Sequence, residues 1–161
     1  MSRASATVVL VAACVWAAAC GAVDQKKFDA VFKAGSELQA ELQASRGQPG
    51  AQARERLKTF DAEINALRER TIGKQEVEAL TSYAEAADAY RYFLRFHGMD
   101  TEEGTTQIIL KGPNLEVATR YKLPVDSHGG SKFVNRAQAV TILLQAGEQH
   151  LADGNRIVKG K

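Results

Sequence analysis

The chain has little of what usually announces chemistry. Its 161 residues include two cysteines, three histidines, three prolines and one tryptophan. A zinc centre needs at least three protein ligands, and the histidines offer only the half-sites Asp126 with His128 and His150 with Asp153, with no suitable thiol, so no metal and no cofactor are implied. Strong charge of either sign is missing as well. The formal net charge is +2, with −1 over residues 20–100 and +2 over 101–161. A nucleic-acid binder shows a basic stripe, and none is present. The longest apolar run, Ala6 to Ala19, falls short of the ~18–20 residues that span a bilayer, which argues against a permanent membrane helix. What remains is ordinary: 45% hydrophobic and 25% charged residues are globular averages, enough for one folded domain.

The N-terminus has the order an export signal requires. Arg3 and the α-amino group supply positive charge, residues 6–19 an apolar stretch, and small residues surround Cys20. Ala17-Ala18-Ala19-Cys20-Gly21 resembles the lipobox of bacterial lipoproteins, with Ala17 where that pattern usually carries Leu. The resemblance covers residues 1–21 only. It implies cleavage after Ala19 and lipid attachment at Cys20, hence a membrane partner held through an N-terminal lipid. Plain cleavage without lipidation is the alternative. Cys14 leaves with the signal, so Cys20 is the sole mature thiol and no internal disulfide can form. By resemblance to lipoprotein sorting, Gly21 after the cysteine points to an outer-membrane protein facing the periplasm. The domain plan is a signal over 1–19, a tether over 20–25 and one helical domain over 26–158.

The mature chain is expected to be mainly α, an antiparallel bundle of about four helices with an irregular insert before the last. Phe28, Val31 or Phe32, Gly35, Leu38 and Leu42 mark one helical face, stopped by Gly47-Gln48-Pro49-Gly50. Ala53, Leu57, Phe60, Ile64, Leu67 and Thr71 repeat four-three, the seam of a helix packed lengthwise on its neighbour. A break at Ile72-Gly73-Lys74 precedes a helix over about 75–97. It has two apolar rows: Val77, Leu80, Ala84, Ala87, Leu94, and Tyr83, Ala86, Tyr90, Phe93, His97. Residues 105–110 suit a strand. Residues 115–123 suit either a short helix begun near Pro113 or a hairpin partner, with helix favoured. Residues 126–131 are loop-like in composition. Phe133, Ala137, Val140, Leu144, Gly147 and Leu151 predict the last helix and its buried seam, with Ser131 as its cap.

Candidate sites are few. Tyr83, Tyr90, Tyr92, Phe96 and His97 gather aromatics on one helix, as core or as a partner or ligand surface; Tyr92 and Phe96 lie off the inward rows. Gly129, Gly130, Ser131 and Lys132, placed just before a predicted helix, would present amides to an anion. Asp126, Ser127 and His128 offer the parts of a small hydrolase or lyase, although consecutive residues seldom converge on one reacting atom. His150 and Asp153 are an incomplete metal pair. The expectation is a helical envelope protein that binds another envelope component, with no catalytic set, no cofactor and no nucleic-acid partner. Its rivals are the hydrolase and a periplasmic receptor with a pocket beside Tyr83, Tyr90 and His97.

Overall fold

Large apolar side chains at four-three spacing draw the first two helices together. In the computed structural model, which describes residues 23–45, 48–71 and 73–160, these are α1 (Gln25–Ala44) and α2 (Ala51–Arg68). Asp24 caps α1, its carboxylate accepting from the N–H of Lys26 at 3.2 Å. The buried face of α1 is Phe28, Val31, Ala34, Gly35, Leu38 and Leu42, and that of α2 is Ala53, Leu57, Phe60, Ile64 and Leu67. Both expected faces are therefore the observed ones, except that Thr71 falls just past the helix.

The third helix, α3 (Lys74–His97), begins at Gly73, whose N–H is accepted by the Glu76 carboxylate at 3.4 Å. The same carboxylate takes Lys27 Nζ at 2.7 Å, in a pair with little exposure that ties α1 to α3. The burial of α3 is broader than two rows. Ala89 and Phe96, seven apart, add a third buried row, whereas Val77 is 48% exposed.

After α3 comes the insert: β1 (Gln107–Leu110), α4 (Pro113–Arg120), β2 (Val125–His128) and β3 (Ser131–Asn135). The 115–123 alternative resolves as helix, with Pro113 in its first turn. The strands form an antiparallel sheet in the order β1-β3-β2, pairing Ile108 with Val134 and Asp126 with Phe133. Ile108, Leu110 and Val134 turn inward and are buried. Among the described residues the fold is thus five helices with a small three-stranded sheet inserted before the last.

Two expectations are corrected here. Residues 126–131 are not a loop; they belong to a hairpin closed by the pair His128–Ser131. Gly129 and Gly130, at φ +55° and +79°, fill its two turn positions, which only residues free of a Cβ adopt at no cost. Ser131 is therefore a strand residue and caps nothing. The last helix, α5 (Arg136–Val158), starts later than expected, and its cap is Asn135, whose side-chain oxygen accepts from the N–H of Gln138 at 3.2 Å.

The seam of α5 is also rotated from the expected one. Ala139, Leu143, Gly147, Leu151, Gly154 and Val158 are buried, while Val140 and Leu144 are only half-buried. Glycines set that phase. A Cβ on Gly147 would meet the Tyr90 ring at 2.5 Å, and one on Gly154 the Tyr83 ring at 3.0 Å. Seven residues forward along α5 match seven back along α3, so the two helices run antiparallel at close range. Tyr83 sits where four helices meet: its ring is 6.1 Å from Phe28 and 6.3 Å from Phe60, and its hydroxyl donates to Asn155 Oδ1 at 2.8 Å.

Candidate binding cleft

The antiparallel pairing of α3 and α5 brings the C-terminal end of α3 against the first half of α5. Phe93 and His97 are four apart on α3, and Val140, Leu144 and Glu148 are four apart on α5, so each set forms one row along its helix. With Thr106, Arg136, Ala137, Thr141 and Gln145 they line a cleft of about 560 Å³. That lies within the range of small-molecule sites, and its apolar floor with a few polar groups is their usual composition.

The end of the cleft near Arg136 is pinned. The Arg136 N–H donates to the Thr106 carbonyl at 2.9 Å, its guanidinium donates to the Met99 carbonyl at 3.3 Å, and Asn135 Nδ2 donates to Thr106 Oγ1 at 2.9 Å. At the other end Glu148 accepts from Gln43 Nε2 of α1 at 3.4 Å. Twelve residues of helix separate Arg136 from Glu148, about 18 Å at 1.5 Å per residue. A cation and a carboxylate thus mark opposite ends of an apolar trough. Such an arrangement can orient an elongated amphipathic ligand. Thr141, the hydroxyl in the middle, donates to the Ala137 carbonyl at 2.9 Å.

The sequence-predicted residues scatter. Of the five on α3, His97 alone lines the cleft, its ring 6.1 Å from that of Phe93. Tyr83, Tyr90 and Phe96 are fully buried and offer no surface, because α3 is enclosed on three rows. Tyr92 is half-buried and meets the ring edge of Tyr121 at 6.0 Å. Burial raises the phenol pKa of both Tyr83 and Tyr90 above the ordinary tyrosine value, and the charge of Glu148 adds to the rise at Tyr90. The Tyr90 hydroxyl has no hydrogen-bond partner among the described residues.

Asp126, Ser127 and His128 lie on β2, exposed along its whole length. Strand geometry sends Asp126 and His128 to one face and Ser127 to the other, so they do not converge. Gly129, Gly130, Ser131 and Lys132 form the turn and the start of β3, with no helix beginning there, which removes the basis of the anion site. His150 Nδ1 is 3.2 Å from Glu85 Oε2, and Asp153 accepts from Gln149 and Arg156. Among the described residues no cluster of His, Cys, Asp or Glu could hold a metal. Cys20 and its signal lie outside the described residues.

A second groove runs between α2 and α3. Arg91 bridges Asp61, at 2.8 Å to each carboxylate oxygen, and Asp88, which also faces Arg120 at 3.5 Å. This chain of alternating charges ties α2, α3 and α4 together and is sufficient reason for the residues in it.

Arg136, Gln145 and Glu148 were not among the sequence candidates. The signal that could have found them is the four-residue row Arg136, Val140, Leu144, Glu148, charged at both ends and apolar between. No family model, curated protein or solved structure matches this chain.

Proposed function

We propose that this chain is an exported, lipid-anchored helical protein of the cell envelope that acts by binding another envelope component at the α3–α5 cleft. The observation that carries the reading is the cleft itself, an apolar trough with Arg136 at one end and Glu148 at the other. Export and anchoring are supported by the order of residues 1–21 and by the single mature thiol at Cys20. Among the described residues no helix is long and apolar enough to cross a membrane, which fits attachment from outside the fold. A non-catalytic role is supported by the opposite facing of Ser127 and His128 on an exposed strand.

The test uses Thr141→Arg. Thr141 is exposed, so the long side chain fills the cleft without entering the core, and stability should stay within about 0.5 kcal/mol. Captured from detergent-solubilised native membranes, the parent should bring down a component that the variant does not. If the variant retains every component, the cleft is not the binding site. Fractionation checks the anchor: Cys20→Ser should yield uncleaved precursor or soluble protein, and unchanged membrane attachment with normal processing would overturn it.

A further inference from the structure

The hairpin leaves one sheet edge unused. A two-residue turn is closed by a pair of reciprocal backbone bonds, so His128, and Asp126 two residues before it, direct their N–H and C=O groups at β3. The other side of the sheet gives the same parity. The Arg136 N–H donates to the Thr106 carbonyl, which makes Ile108–Val134 and Leu110–Lys132 the bonded pairs of β1 and β3 and leaves Ser131 and Phe133 bonded to β2. Val125 and Ser127 therefore present their backbone groups outward, and no described residue meets them there. The opposite edge of the sheet differs: on β1, the Gln107 carbonyl accepts from Glu102 at 3.0 Å. Exposed edges are normally protected by charge, and β2 carries Asp126 and His128 on one face and the 39%-exposed Val125 on the other.

We infer that this edge pairs with the same edge of a second copy of the chain, antiparallel about Ser127. In that register Ser127 faces the second copy's Ser127 as a bonded pair, using the outward N–H and C=O of both. Asp126 then stands opposite the second copy's His128, and His128 opposite its Asp126, in the closely spaced non-bonded positions. Hydrogen-bond parity admits this register, and charge selects it over the equally bonded pairing of Val125 with the second copy's Ser127, which would set Asp126 against Asp126. A parallel pairing in register would set Asp126 against Asp126 and His128 against His128, so the charges that protect the edge from other strands make it specific for itself. The product is one sheet of six strands, β1-β3-β2 continuing into its two-fold copy. Two four-residue strands cover much less than the ~1,200 Å² of a stable interface, so the association is weak and concentration-dependent. It stands apart from the cleft and does not depend on the function proposed for it.

The pair is strongest with the imidazole protonated. On the face that carries His128, β3, the element packed against β2, presents Ser131 and Phe133, neither charged; Lys132 points to the other face, and Asp126 is the neighbouring charge on β2 itself.

Sedimentation of the purified protein over a concentration series reaching the millimolar range tests the inference. The dimer fraction should rise with concentration. Asp126→Lys should raise Kd about threefold to tenfold by replacing two attractions with two repulsions. The exchange of both residues, Asp126→His with His128→Asp, should restore it. Ser127→Pro deletes an outward N–H that β3 does not use, and should abolish the dimer while the melting curve stays within a few degrees of the parent. In a chain also carrying Cys14→Ser and Cys20→Ser, Ser127→Cys should cross-link on oxidation, since bonded pairs have Cα atoms about 5.5 Å apart, within disulfide reach. Thr59→Cys, exposed on α2, should not. A monomer at every concentration, a dimer indifferent to Ser127→Pro, or equal cross-linking at both positions would overturn the inference.

Discussion

Replacing Gly147 with alanine adds one methyl group at the closest approach of α3 and α5. The new Cβ would lie 2.5 Å from Tyr90 Cε1, 2.7 Å from Cδ1 and 2.9 Å from Cζ. Carbon atoms pack best at about 3.5–4.0 Å, so the ring or the helices must give way by about 1 Å. The ring cannot swing aside, because Tyr90 is fully buried on the central helix. Overpacking of this kind costs about 1–3 kcal/mol, and three ring atoms within 3 Å place it in the upper part of that range. Alanine offsets about 1 kcal/mol through its better helix propensity. A net loss of about 1–2 kcal/mol follows, a Tm lower by roughly 3–7 °C for a domain of this size. Thermal melts followed by circular dichroism would read it directly. Gly154→Ala is the internal comparison: its nearest ring atom is 3.0 Å away, so its Tm should fall much less. Tyr90→Leu should recover part of the loss in the Gly147→Ala background, since residues in contact are not additive. If Gly147→Ala melts at or above the parent temperature, propensity outweighs packing and the close contact of α3 with α5 is wrong.

Tyr90→Phe and Tyr83→Phe should move stability in opposite directions in the same melting assay. The first removes a buried hydroxyl without a partner and should stabilise by about 1 kcal/mol, while the second breaks the bond to Asn155 and should cost about 0.5–1.5 kcal/mol. Both phenols have folded-state pKa values raised above the unfolded value, so the stability they contribute is complete below pH 10 and is lost as pH rises above it. Each should remove about 1.4 kcal/mol per pH unit just above 10, and the slope of unfolding free energy against pH should become shallower in either Phe variant. Asn135→Ala should cost about 1 kcal/mol as a lost cap, and Ser131→Ala less than about 0.5 kcal/mol, in denaturant titrations.

How far the fold could be read from the chain depended on where its large side chains stood. Ala53, Leu57, Phe60, Ile64 and Leu67 alternate four and three without interruption, and all are buried. The start of α5 was misplaced because Phe133 and Ala137 happen to be four apart, which continues a helical row into residues that belong to β3. Two local signals argued otherwise: adjacent glycines at 129 and 130, which suit a two-residue turn, and Asn135 three residues ahead of the N–H it caps. Chain composition made 126–131 look like a loop, but pairing with β3 is a relation between segments and leaves little trace in either.

The same reasoning explains why the cleft was invisible. The phase of α5 is set at Gly147 and Gly154, whose contribution is the space left for Tyr90 and Tyr83, and apolar periodicity reaches only the first of them. With Ala139, Leu143 and Gly154 in the buried row, Val140 and Leu144 are left half-buried at the edge of the core, where they floor the trough. Arg136 and Glu148 are, taken singly, ordinary helix charges; only the antiparallel contact that puts Tyr90 over Gly147 brings His97 alongside Val140 and gives the row a facing wall. Of the two readings open for the aromatic cluster on α3, core or surface, Tyr83, Tyr90 and Phe96 take the first. Tyr83 and Tyr90 shape the cleft without lining it, by fixing how α5 lies across α3, and the part of that helix that opens on the cleft lies beyond them, at His97 with the buried Phe93 beneath it.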